Sequence, residues 1–311
     1  LGDGAAAEPL VAVLSSRRAR IDTRRGAALA LGRLLRETDA EEDLEKRAMK
    51  ALRRAFDKDN DVILKGYAAI ALGAARRPDG IAMLKDAVDK GGNASVKPYC
   101  ALALGLAART LGEDDEAKRI RAFLVAELEK THESELGSAL SLALGLAKAE
   151  DAREALLERL TAKSLPAPAR GAAAQAIGLL GTAPKTTVEA LLQAARAETN
   201  PAALQDIVLA LGLLGQRSVA RDLVEMLKES KRDHVQGRLM LALAYLHHSA
   251  AIEPLLAQLE DRNNRPLVRE FAAVALGLLG DKRTGDPLFR VDAWFNFHAT
   301  TRATNELIRL Y

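Results

Sequence analysis

The sequence predicts an all-α solenoid, a right-handed superhelix of about eight and a half two-helix repeats. Three observations predict it. An apolar Ala-Leu-Gly unit recurs, its third residue falling at Gly32, Gly73, Gly105, Gly145, Gly178, Gly212, Ala244 and Gly277, with spacings of 41, 32, 40, 33, 34, 32 and 33 residues. Such a period marks a stack of supersecondary units. Small and apolar residues precede each marker at helical spacing, and a short polar break leads to a second apolar segment, as at 152–160, 219–227 and 252–259, so each repeat reads as two helices. Finally, 311 residues with 49 % apolar content supply ample material for burial.

The elements follow in order along the chain. Leu1, Gly2 and Asp3 align with Leu279, Gly280 and Asp281, and Glu8-Pro9-Leu10 aligns with Asp286-Pro287-Leu288, so the chain is expected to begin inside a repeat and the natural protein to extend upstream. Each first helix carries the marker. The residue two positions before it is Ala in all eight repeats (Ala30, Ala71, Ala103, Ala143, Ala176, Ala210, Ala242, Ala275). A mid-helix Gly costs about 1 kcal/mol relative to Ala, so these glycines imply close backbone approach between neighbouring helices. Gly181, Gly215 and Gly280 stand three residues after their markers, where a left-handed residue would end the helix. Asn200-Pro201 reads as an N-cap followed by proline in the first turn, and Glu8-Pro9, Glu253-Pro254 and Asp286-Pro287 open second helices similarly. Acid clusters at 41–43 and 113–116 precede basic helices, where they complement the helix dipole.

These residues resemble HEAT repeats, of the bacterial subtype called PBS-lyase-like. The stretch from Val268-Arg269-Glu270-Phe271-Ala272-Ala273 through Ala275-Leu276-Gly277 to Gly280 carries the resemblance, with 252–259 as its second helix and weaker copies over roughly 1–290. The basic residue that this family carries near the start of the first helix is matched by Arg24, Lys65, Lys97, Arg170 and Arg269, eight residues before the marker, while Gly137, Leu204 and Gln236 depart from it. Stem packing and local ion pairs between repeats are the expected use of these side chains. The resemblance implies a non-enzymatic scaffold that binds protein partners on its concave surface, which we expect the second helices to form. Nucleic-acid binding, or a bilin-lyase-like activity, is the alternative. Related di-iron hydroxylases use several His-Glu pairs, whereas this chain has only His132-Glu133. A metal is therefore not expected, and neither is a cofactor, since the chain shows no Gly-rich phosphate loop.

Charge and composition narrow the partner. The net charge of +3 is too small to steer nucleic acid by itself, and eleven aromatics offer few stacking platforms. The longest stretches without a charge, 171–184 and 239–252, are fourteen residues each, short of the ~18 to 20 needed to cross a bilayer. Cys100 takes a position that is Ala in other repeats and reads as a packed core thiol. Five arginines fall within nine residues, Arg17, Arg18, Arg20, Arg24 and Arg25, and residues 1–110 are net +5, against −3 for 111–200 and +1 for the remainder. The candidate binding residues are Arg17, Arg18 and Arg20 with Arg53 and Arg54 of the following second helix, facing a partner with an acidic surface. The repeat pattern stops after Phe289, and 291–311 is expected to cap the last repeat, with a short helix over 304–310. Its aromatics Trp294, Phe295 and Phe297 are the alternative anchor for a partner.

Overall fold

The computed structural model describes residues 6–37, 42–90, 93–181, 183–215, 217–246 and 249–280. Among these the protein is all-α, sixteen helices without a strand, and it divides into two compact units, Leu1–Ala147 and Lys148–Tyr311. The expected cap at 291–311 lies outside the described residues.

In unit 1 the helices α1 (Ala7–Ser15), α3 (Glu42–Lys58), α5 (Pro78–Asp89) and α7 (Asp115–Lys130) alternate with the marker helices α2 (Ile21–Glu37), α4 (Val62–Ala75), α6 (Lys97–Leu111) and α8 (Ser134–Leu146). Unit 2 repeats the plan. There α9 (Arg153–Thr161), α11 (Lys185–Ala197), α13 (Ala220–Glu229) and α15 (Ile252–Glu260) alternate with α10 (Ala167–Leu180), α12 (Pro201–Leu213), α14 (Asp233–Tyr245) and α16 (Pro266–Gly280).

Local chemistry sets the boundaries. Asn200 caps α12, its side chain accepting from the amides of Ala202 and Ala203 at 3.0 and 3.2 Å, and Asp61 caps α4 through Leu64 N at 2.6 Å. Gly181 and Gly215 adopt φ of 100° and 64°, as their position requires. Gly280 instead lies inside α16 as its last residue. At the same register Arg76 and Lys148 take φ of 55° without being glycine, and each side chain reaches a helix-end carbonyl, of Arg36 and of Leu179 respectively.

Within each unit every marker helix lies on the next, and the fit is made by the predicted small residues. A Cβ placed on Gly32 would stand 2.5 Å from Ala71 Cα, one on Gly73 2.6 Å from Ala103 O, and one on Gly105 2.5 Å from Ala143 O. Gly178 and Gly212 meet Ala210 Cα and Ala242 Cα in the same way, at 2.8 and 2.7 Å. Each of these five markers thus abuts the Ala two places before the next marker. A second register runs beside the first: Tyr99 lies on Gly66, Asp206 on Gly171 and Phe271 on Gly237, a large residue six before one marker seated on the glycine seven before the previous one.

In five repeats the residue eight before the marker bonds a carbonyl at the end of the preceding helix or in the turn after it. Arg24 Nε donates to Leu14 O at 3.1 Å, Lys65 Nζ to Asp57 O at 3.1 Å, Arg170 Nη1 to Leu165 O at 2.6 Å and Arg269 Nε to Leu259 O at 2.9 Å. Gln236, which departs from the basic pattern, does the same work through Nε2 to Ser230 O at 2.9 Å. Apart from Leu165, which lies in the turn between α9 and α10, these carbonyls belong to helix ends and have no partner in their own helix. Arg24 and Arg170 also reach the next turn, pairing with Asp59 and Glu198 at 2.6 Å each.

The two rows are spaced differently. Marker helices are in backbone contact, whereas second helices meet through long ion-paired side chains, such as Arg77 to Glu45 at 2.7 Å, Lys85 to Glu116 at 2.9 Å and Arg196 to Asp222 at 2.7 Å, with grooves open between them. A stack of such wedges bends with its closely spaced row on the inside. From this spacing we infer that the second helices form the outer row of each unit, opposite to the expectation that they form the concave side.

Candidate interaction surface

The turn 16–20 joins α1 to α2 and carries Arg17, Arg18 and Arg20, all exposed. Its place is fixed from beneath by Arg24, whose guanidinium bonds both the end of α1 and Asp59 in the turn after α3. Arg25 likewise joins Asp61 at 2.9 Å and Asp22 at 3.1 Å. Two of the five clustered arginines are therefore joints of the fold, and three are presented to solvent. Lys58 and Arg54, exposed on the last turns of α3, lie at the same end of unit 1, with Lys50 one turn earlier. Arg17, Arg18, Arg20, Lys50, Arg54 and Lys58 have no ion-pair or hydrogen-bond partner among the described residues.

Arg53 behaves differently. It is half-buried and ion-paired with Asp79 of α5, across a groove of about 610 Å³ that Met49, Lys46, Lys50 and Pro78 also line. The acid clusters are spent internally as well: Glu42 holds Lys46 at 2.5 Å, Asp43 holds Arg47 at 3.1 Å, and Glu113 holds Arg121 at 3.1 Å, which pulls the Glu113 carboxyl below its ordinary range. Trp294, Phe295 and Phe297 lie outside the described residues.

In unit 2 a second groove, of about 600 Å³, runs between α11 and α13, with Leu204 and Met226 part-exposed along it and Ala195, Val235 and Leu239 buried beneath. Unit 2 also holds a buried polar cluster that the sequence reading did not single out. Asp206 of α12 accepts from Gln175 Nε2 of α10 at 2.6 Å and is attracted by Arg238 of α14. Burial pushes its carboxyl up to about 7, although the Gln175 bond and Arg238 both oppose the rise. Burial also lowers the Arg238 guanidinium. The signal available in the sequence was a charged residue inside an Ala- and Leu-rich helix, at the position where Tyr99 and Phe271 stand in other repeats.

The residues weighed for chemistry are dispersed. Cys100 is fully buried on α6, and burial pushes its thiol up to about 12, which leaves little thiolate. His132 and Glu133 are exposed in the turn between α7 and α8, and His234 is exposed on α14. Among the described residues no group of three or more His, Cys, Asp and Glu side chains could hold a metal ion, and no helix is long and apolar enough to cross a membrane.

Stacked antiparallel helix pairs, one row in backbone contact and the other with open grooves, define an α-helical repeat protein. Residues 220–292 match the family model of HEAT repeats. That match covers the last part of unit 2, and the same small-residue joints recur through both units. No curated protein sequence matches it. Among solved structures, that of human deoxyhypusine hydroxylase in complex with glycerol is similar, at 20 % identity over 89 % of this chain and 96 % of that chain, with a TM-score of 0.38. Identity and score at that level carry no activity across.

Proposed function

We propose that this protein is a non-enzymatic binding scaffold whose unit 1 takes an acidic protein surface. One observation carries the reading: the six cations Arg17, Arg18, Arg20, Lys50, Arg54 and Lys58 are exposed and have no partner among the described residues, while Arg24, Arg25, Arg47 and Arg53 on the same elements are tied to carboxylates. Exposed charges of one sign on a rigid edge speed encounter with an opposite surface and select its register. The docking face is the outer row and its turn edge, where these six cations lie.

A labelled glutamate-rich peptide, measured by fluorescence anisotropy beside duplex and single-stranded oligonucleotides, tests this. The peptide should bind, and reversing Arg17, Arg18 and Arg54 to Glu should abolish binding without lowering the melting temperature. Oligonucleotides binding more tightly than the peptide, with a steep log-linear salt dependence, would replace the reading with nucleic-acid recognition.

A further inference from the structure

The groove between α11 and α13 has a different character from the basic edge of unit 1. Its walls carry four carboxylates, of which two are already occupied. Asp222 is held by Arg196 at 2.7 Å, and Glu198 by Arg170 at 2.6 Å and by the amide of Asn200 at 2.8 Å. Glu225 and Glu229, four residues apart on α13, are exposed and have no partner among the described residues. Residues at that spacing stand ~6 Å apart on one helix face. Between them and α12 lies an apolar strip made by Met226 and Leu204. The C-terminal ends of α11 and α13 close the groove at one end, and helix C-termini favour positive charge. Lys231 and Arg232 sit in the turn beyond α13 at that same end, so cations of an occupant are directed to the α13 wall. A volume of about 600 Å³ is within the range of small binding clefts.

We propose that this groove docks a basic amphipathic helical segment of a protein partner, one apolar side chain resting on Leu204 and Met226 and two Lys or Arg, one turn apart, meeting Glu225 and Glu229. Helix-in-groove recognition combines these two elements, an apolar anchor and charges that set the register. The proposal rests on the scaffold reading but not on the arginine edge of unit 1, so the two surfaces fail separately.

The test uses the full chain and two labelled amphipathic peptides, one of leucine and lysine at helical spacing and one with glutamate replacing each lysine. The lysine peptide should bind the native protein, and Glu225→Lys with Glu229→Lys should weaken it by about tenfold or more. Added to the reversals of Arg17, Arg18 and Arg54, which remove the unit 1 edge, that double change should restore binding of the glutamate peptide through the reversed groove, a gain that mere loss of structure cannot give. Met226→Gln should weaken the lysine peptide, while Arg17→Glu should leave it unaffected. A lysine peptide that binds the double variant as well as the native protein overturns the proposal. So does self-association of the native chain that the double variant abolishes, because the groove then belongs to a second copy.

Discussion

At the scale of single residues, Asp206 shows how much a slot can cost. The same seat on a neighbour's glycine is filled by Tyr99 and Phe271 elsewhere, both apolar in body, whereas here a carboxylate is buried with Gln175 and Arg238. Its folded pKa, about 7, stands above the ordinary ~3.9 of an aspartate. The folded state therefore keeps a proton that the unfolded chain releases, and stability falls as pH rises from about 4 to about 7, then levels off. Asp206→Asn keeps the shape and removes the charge. Denaturant unfolding at pH 8 should show the variant more stable by about 2 kcal/mol, with the difference vanishing near pH 4. A variant that is less stable at pH 8 would mean that the attraction to Arg238 outweighs the cost of burial. The charged residue in an Ala- and Leu-rich helix was the one signal in the sequence, and its seat was not legible, because Tyr, Asp and Phe share no chemistry and the common partner, a glycine, lies in the preceding repeat.

At the scale of helices, the joint between successive marker helices is where sequence reading was strongest. The fixed Ala and Gly implied close approach, and all five joints described above have that contact. Gly105→Ala should gain about 1 kcal/mol of helix propensity yet lose more, about 2 to 4 kcal/mol net, since its Cβ would press on the Ala143 carbonyl. Gly277 has nothing within 4 Å of its Cβ site among the described residues, so Gly277→Ala should be neutral or slightly stabilising. Equal thermal shifts for the two variants would show that packing does not select these glycines. Helix ends were less legible. Gly181 and Gly215 announce a left-handed residue, but Arg76 and Lys148 do the same work because their side chains bond a neighbouring helix end, a contact with no local signature.

At the scale of the molecule, the repeat count and all-α architecture were readable because a period of about 33 residues is written in the chain, while the placement of the rows was not. Which row lies inside depends on the spacing between helices, a property of packing rather than of pattern: small residues draw one row together, and ion-paired arginines hold the other apart. The consequence for function is that the six exposed cations of unit 1 named above reside on the outer row and its turn. Arginine footprinting with phenylglyoxal, read by mass spectrometry with and without the glutamate-rich peptide, tests this most directly. The account predicts that Arg17, Arg18, Arg20 and Arg54 become protected, while Arg33 on the inner row keeps its reactivity. Protection confined to Arg33, with the four outer arginines unchanged, would contradict it.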